Sequence, residues 1–283
     1  MRNNQDRLNA PPASADPPIQ QAAQSEEILQ FVTPTEFVEL PSGGKFYPPD
    51  HPLHNVDTLE IRHMTAKDED ILTSRSLLKK GVAVDRFLQN VIVDRSVRIG
   101  DLLIGDKNAI IVASRISGYG ARYDASVMCP SCASTVGFNF DLEHCENIPA
   151  DSYQQFDVEL TNDNTFVIGL EKTGVDVEVK LMTGKDEASL LQLAEKRRKK
   201  KLPESNLTDQ FRMIIVSVNG NKNQNYIESF IQNMPAIDSR RLRTTYQNII
   251  PNIDMSHEFM CSECSFEGEV DVPFGANFFW PKQ

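Results

Sequence analysis

Long apolar runs are absent from this chain of 283 residues. No stretch reaches the length that crosses a bilayer, and residues 1–23 lack the apolar centre of a signal peptide, so we expect no membrane partner. A basic excess is also absent, because 40 acidic side chains outnumber 29 basic ones and give a formal net charge of -11. Since neutralising phosphates needs clustered Lys and Arg, we expect no general nucleic-acid partner.

The motifs of common enzymes are absent as well. None of the five histidines stands in an H-E-x-x-H spacing, and no G-x-S-x-G elbow occurs. Residues 41–45 (PSGGK) lack the G-x-x-x-x-G-K-[ST] spacing of a phosphate loop, which predicts a structural turn instead. We therefore expect a protein that is not an enzyme, without catalytic residues, cofactor-binding residues or a small-molecule substrate. A hydrolase stays open as an alternative, because a carboxylate pair in a cleft has no fixed sequence spacing.

Four of the five cysteines form two Cys-x-x-Cys pairs, Cys129 with Cys132 and Cys261 with Cys264. A pair with this spacing presents both sulfurs from one tight turn, and two such turns complete the tetrahedral shell of structural zinc. The sequence therefore predicts a Zn²⁺ site with four sulfur ligands and no open position for a substrate. Metal-bound thiolates without an export signal favour a reducing compartment. A redox pair or unliganded thiols are the alternatives, although a thioredoxin-like pair would open a helix, whereas both pairs here lead into alternating, strand-like residues.

Two further features invite a functional interpretation. Cys145, beside His144, is interpreted as a free cysteine rather than a fifth ligand. The basic run at residues 196–201 (KRRKKK) is interpreted as a solvated helix end, because cations complement the dipole at a helix C-terminus and Pro203 follows. Docking onto an acidic partner and nucleic-acid binding are its functional alternatives.

The two cysteine pairs are separated by 128 residues, far more than the roughly 15 to 20 residues usual between the halves of such a site. An inserted domain explains the distance. We predict an α+β fold with a small helical unit and a split four-cysteine zinc ribbon that is interrupted by an inserted α+β domain. The predicted segments are a disordered or partner-ordered arm at 1–26, an α-rich domain at 27–120, the ribbon at 121–148 and 253–283, and the insert at 149–252.

Periodicity and capping residues supply the elements within these segments. Thr65 with Asp68, and Thr183 with Asp186, have the spacing of capping boxes and predict helix starts. Apolar spacing predicts one helix up to Gly81, a second near 84–92 and a third near 106–117. The insert is expected to hold three short strands at 156–160, 165–168 and 175–179, followed by helices that include 207–218.

The C-terminal residues 273–283 carry three Phe and the only Trp. Such an aromatic segment must be buried. It packs over its own ribbon or inserts into a neighbouring subunit, and the sequence leaves both possibilities open.

Three stretches together resemble a known family. They are residues 40–47 (LPSGGKFY), residues 118–123 (GYGARY) leading to 127–132 (VMCPSC), and residues 273–280 (PFGANFFW). In this order they resemble the base plate protein family of T-even-type contractile-tailed bacteriophages, the family of the baseplate hub protein needed for hub assembly. Residues from about 150 to 250 carry no motif that adds to the likeness.

The resemblance implies a virion component of the tail baseplate that is assembled in the host cytoplasm. Its partners would be other phage baseplate and hub proteins, bound through protein-protein contacts. Two alternatives stay open: a zinc-ribbon nucleic-acid-binding accessory protein, and a hub-assembly chaperone that is absent from the finished virion.

Overall fold

The computed structural model describes residues 33–274, 278 and 279, and these residues mix helices with antiparallel strands. The predicted arm at 1–26 lies outside the described residues. The described helices are α1 (Ala66–Thr73), α2 (Arg75–Lys80), α3 (Ala83–Val91), α4 (Ile104–Tyr119), α5 (Gly184–Lys199), α6 (Asn206–Ile214), α7 (Gln224–Asn233) and α8 (Ala236–Ile249). The described strands are β1 (Thr35–Glu39), β2 (Thr58–Arg62), β3 (Arg122–Met128), β4 (Thr135–Asp141), β5 (Asn147–Ile148), β6 (Val158–Leu160), β7 (Phe166–Leu170), β8 (Val175–Val179), β9 (Ile215–Val218), β10 (Asn252–Ile253), β11 (Ser256–Met260) and β12 (Glu267–Asp271).

Local capping chemistry fixes two of the helix starts as predicted. The Asp68 carboxylate accepts the Thr65 backbone N–H at 2.9 Å, and the Asp186 carboxylate accepts that of Thr183 at 2.9 Å. The single helix predicted before Gly81 is wrong, because the chain breaks at Ser74 into α1 and α2. Ser74 has an extended backbone and stands at the C-cap of α1 and the N-cap of α2, so the helix is not continuous.

The turn predicted at residues 41–45 is present, and a buried carboxylate holds it against α4. Asp106 accepts hydrogen bonds from the Ser42 N–H at 2.9 Å, the Ser42 hydroxyl at 2.6 Å and the Tyr47 hydroxyl at 2.8 Å. Burial raises the pKa of Asp106, whereas these three donors oppose the shift. Gly44 has a φ of +70°, and a Cβ there would lie 2.4 Å from the Leu53 carbonyl oxygen, so only glycine fits.

The predicted insert begins and ends at adjacent points. β5 pairs with β10 in antiparallel register, so the chain leaves and returns side by side. Between them lies an antiparallel sheet with the strand order β6-β7-β8-β9. The three predicted strands are present, but the predicted helix over 207–218 is wrong beyond Ile214. Residues 215–218 (IVSV) are rich in β-branched side chains and pair with β8, with Val218 opposite Val177.

One continuous hydrophobic core runs through the described residues, from the N-terminal helices into the sheet of the insert. The Ile104 N–H donates to the Met182 carbonyl at 3.1 Å, and the Gly184 N–H donates to the Leu102 carbonyl at 2.9 Å. At Gly105 a Cβ would lie only 1.9 Å from the Pro251 carbonyl oxygen. The predicted insert therefore packs directly on α4, and its status as a separate domain stays a prediction.

The C-terminal aromatic residues that the structure describes pack on their own chain. Phe278 and Phe279 are buried, with ring centroids 5.1 Å from Tyr123 and Phe87, respectively. Arg115, fully buried, donates from Nε to the Phe278 carbonyl at 2.7 Å. Its other two nitrogens donate to the carbonyls of Gly120 at 2.6 Å and Arg122 at 2.9 Å. Phe278 thus packs on β3 of the predicted ribbon, as one of the two possibilities expects, whereas Phe279 packs on α3; the tryptophan at position 280 lies outside the described residues.

Candidate metal centre

Two equivalent turns carry the cysteine pairs. Each turn joins the strands of one hairpin: Met128 pairs with Thr135 at the end of β3 and β4, and Met260 pairs with Glu267 at the end of β11 and β12. The same hydrogen bonds close both turns, namely Cys129 N to Ser134 O at 2.9 Å, Ala133 N to Cys129 O at 3.0 Å, Cys261 N to Phe266 O at 2.9 Å, and Ser265 N to Cys261 O at 2.9 Å. Strand, turn and strand therefore occur twice, as the alternation predicts.

The backbone of each turn is bent at the same place. The residue after the second cysteine adopts a left-handed conformation in both, with a φ of 57° at Ala133 and 58° at Ser265. Such a conformation is uncommon for residues other than glycine and stores strain, which a bound metal can offset. Both Cys-x-x-Cys pairs thus present their sulfurs from turns of one geometry.

The four sulfur atoms meet between the two hairpins. The Sγ atoms of Cys129 and Cys264 are 3.7 Å apart, and those of Cys132 and Cys261 are 3.8 Å apart. All four lie within 4.8 Å of one another. A tetrahedron with zinc–sulfur bonds of about 2.3 Å has sulfur–sulfur edges of about 3.8 Å, so the cluster fits a zinc ion. The structure thus brings all four predicted ligands together, although it does not identify the ion.

Two sulfur ligands lie inside and two lie at the surface. Cys129 and Cys261 are each 1% exposed, whereas Cys132 and Cys264 are exposed. Hydrogen bonding by Ser134 lowers the pKa of Cys132 to about 6.

The pKa of the Cys264 thiol shifts in the opposite direction. The Phe266 backbone N–H lowers its pKa, but partial desolvation and the neighbouring cysteines outweigh that effect and raise the pKa to about 12. Neighbouring thiolates repel one another, and a bound cation would relieve that repulsion. The four thiols lie close enough together to bind a metal ion.

Aromatic side chains also form contacts between the two hairpins. The rings of Phe138 and Phe259 meet edge to face with centroids 5.5 Å apart, and Phe140 meets His257 in the same way at 5.1 Å. His257 Nε2 also lies 2.9 Å from the Asp141 carbonyl oxygen, across the two hairpins. The cysteine cluster and this apolar interface join the same two parts of the chain.

The fifth cysteine lies outside the cluster. Cys145 is half-buried, and burial raises its pKa to about 11. His144 is exposed and lies 3.8 Å from the Asp141 carboxylate. Among the residues that the structure describes, the four paired cysteines are the one group placed to hold a metal.

The basic run at residues 196–201 lies at the end of α5. Five of these six side chains are exposed, and the helix ends at Lys199. Arg197 is the half-buried member, and it donates from Nε and Nη2 to the Asp209 carboxylate at 3.0 Å each. This fork ties α5 to α6, a role that the sequence pattern did not reveal.

The comparison with protein families adds the decisive finding. A family model described as T4 bacteriophage base plate protein matches residues 33–280. The chain belongs to this family. No curated protein and no solved structure matches the chain. Membership covers the predicted insert as well, which the sequence motifs alone did not reach.

Family membership implies a place in the tail of the virion and association with other phage structural proteins. A structural family also suggests that this baseplate protein is not an enzyme. None of the described helices combines the length and the apolar character that crossing a bilayer requires.

Proposed function

We propose that this baseplate protein is a non-enzymatic component of the hub region of the contractile tail, acts through protein-protein contacts, and is held together by a structural Zn²⁺. Cys129, Cys132, Cys261 and Cys264 are the proposed ligands. The observation that carries the proposal is the meeting of four sulfurs from two distant hairpins at spacings that suit tetrahedral zinc. Four protein ligands complete the shell, so the metal serves the fold rather than a reaction.

The zinc joins the start and the end of the predicted insert. The hairpin of β3 and β4 precedes the insert and that of β11 and β12 follows it, while β5 and β10 pair between them. A metal crosslink at this point lowers the entropy of the unfolded chain, and its binding free energy adds to folding. In this account the zinc fixes the two ends of the insert, which also packs on α4, so that other tail proteins meet one rigid surface.

Assembly in the host cytoplasm accords with thiolates that must stay reduced until they bind metal. Nucleic acid is not a proposed partner. The net charge is -11, and Arg197 of the basic run is engaged by Asp209 rather than free for phosphates.

Copy counting in purified particles tests the proposed function. Finished tails and assembly intermediates from infected cells would be compared by quantitative mass spectrometry. We expect the chain at a fixed copy number in the finished tails, alongside known baseplate proteins. Presence in intermediates together with absence from finished tails would contradict a permanent role and identify a departing assembly chaperone.

A complementation experiment tests whether the metal has a structural role. Complementation with Cys261→Ser is expected to block baseplate completion, whereas Cys145→Ser, which changes a cysteine outside the cluster, is expected to support it. Normal tails with both variants would contradict a structural role for the metal.

A further inference from the structure

A groove with an apolar floor lies on the side of the molecule formed by α2, α3, α4 and α5. Its volume is about 540 Å³, which is within the range of specific ligand clefts. Buried Phe278 and Phe279 form part of the floor, so the docked C-terminal residues complete the groove. Its other apolar lining residues include Leu78, Leu191 and Phe274.

Several large apolar side chains in this groove face solvent. Leu78 is 47% exposed, Leu191 is 61% exposed and Phe274 is 41% exposed. They come from α2, from α5 and from the residues after β12, so three separate parts of the chain place them around one cleft. Contiguous exposed apolar surface of this kind is typical of protein-binding sites.

At the rim of the groove, the acidic side chains have ion-pair partners within the described part of the chain, and three basic side chains do not. The acidic residues are already paired: Lys107 Nζ contacts both Asp85 and Glu187 at 2.7 Å, and Lys199 pairs with Glu195 at 2.7 Å. The basic residues Lys79, Lys80 and Arg198 also line the groove. None of these three has a carboxylate within 4.0 Å among the described residues. The available charge around the apolar floor is therefore positive.

We propose that this groove binds a segment of another tail protein that presents bulky apolar side chains flanked by Asp or Glu. The identity of the partner as a tail protein rests on the proposed function, whereas the chemistry of the segment follows from the groove itself. Its apolar side chains would cover Leu78, Leu191 and Phe274, and its carboxylates would meet Lys79, Lys80 and Arg198. A nucleic acid is a poorer match, because the floor of the groove is apolar rather than a track of cations.

Binding of two designed peptides to the full-length protein tests this chemistry. Both peptides carry the same Leu and Phe residues at helical spacing, and they differ only in Glu or Lys at the flanking positions. By fluorescence anisotropy we expect the Glu peptide to bind at least about tenfold more tightly, and its affinity to fall as salt is added. Equal affinities, or preference for the Lys peptide, would overturn the proposal.

Matched variants locate the site. Leu191→Ser removes an exposed apolar contact, and Arg198→Glu reverses a rim charge; each should weaken the Glu peptide at least about tenfold. Lys222→Glu, at an exposed position outside the groove, is the control and should leave binding unchanged. Tight binding that Leu191→Ser and Arg198→Glu do not alter would place the peptide elsewhere and overturn the proposal.

A photo-crosslinker at position 191 identifies the occupant in assembled tails. We expect the captured peptide to come from another tail protein and to carry acidic residues beside apolar ones. Capture of a second copy of this chain, or of its own residues 1–32, would overturn the choice of partner. The peptide assay uses the isolated protein, so its result is independent of whether the chain resides in the hub.

Discussion

Replacing Cys261 by serine removes one of the two buried sulfurs of the proposed zinc site. Serine is a poor zinc ligand, and three cysteines would be left to hold an ion that prefers four. The expected result is loss of metal followed by separation of the two hairpins. Cys129→Ser should behave in the same way, because the two positions are equivalent in the paired turns.

The expected loss in the free energy of unfolding follows from the number of residues between the two cysteine pairs. Crosslinking two points about 130 residues apart lowers the entropy of the unfolded chain by an amount worth about 5 kcal/mol. Because zinc can leave the unfolded chain whereas a covalent crosslink cannot, this value is an upper bound, and we expect a loss of about 3 to 5 kcal/mol. A whole domain is stable by only about 5 to 15 kcal/mol, so the variant should lie near its unfolding threshold.

The assay is urea unfolding followed by circular dichroism, with the zinc content of each sample measured by elemental analysis. Wild type, Cys261→Ser and the control Cys145→Ser are compared, and the control should keep both its metal and its stability. Retention of one zinc per chain in Cys261→Ser would refute the shared site. Loss of zinc without any loss of stability would refute its role in holding the fold together.

Three further outcomes are expected from buried polar groups. Asp106→Ala should cost about 3 kcal/mol in the free energy of unfolding, since it leaves buried donors without an acceptor, and Asp106→Asn should cost less in the same urea assay. Burial raises the pKa of Asp68, but hydrogen bonds from Arg62, Thr65 and Asn90 outweigh it and lower the pKa to about 2 from an ordinary 3.8. Ionised Asp68 thus adds stability above about pH 4, and this stability is lost as the pH falls towards 2. The free energy of unfolding of wild type should therefore fall more steeply with acid than that of Asp68→Asn. Equal dependence on pH in the two proteins would contradict this prediction. In Arg115→Lys the single ammonium group cannot reproduce the three hydrogen bonds from the guanidinium to carbonyl oxygens. Limited proteolysis should therefore cleave the C-terminal residues of this variant faster than those of wild type.

Local signals in the sequence account for the parts of the fold that were predicted correctly. The Cys-x-x-Cys pairs and the capping pairs act over three residues, so their spacing alone identifies the turn or the helix start. Residues 215–218 were missed because their apolar spacing also suits a helix, and only pairing with β8 makes them a strand. Arg115 and Asp106 were missed for a related reason: their partners, Phe278 and Ser42, are distant in sequence.

X-ray absorption at the zinc edge of the purified full-length protein tests the central claim most directly. The account predicts one zinc per chain with four sulfur neighbours at about 2.3 Å and no nitrogen or oxygen in the shell. A protein purified without zinc, or zinc in a mixed shell with an open position, would contradict a closed four-cysteine site that holds this baseplate protein together.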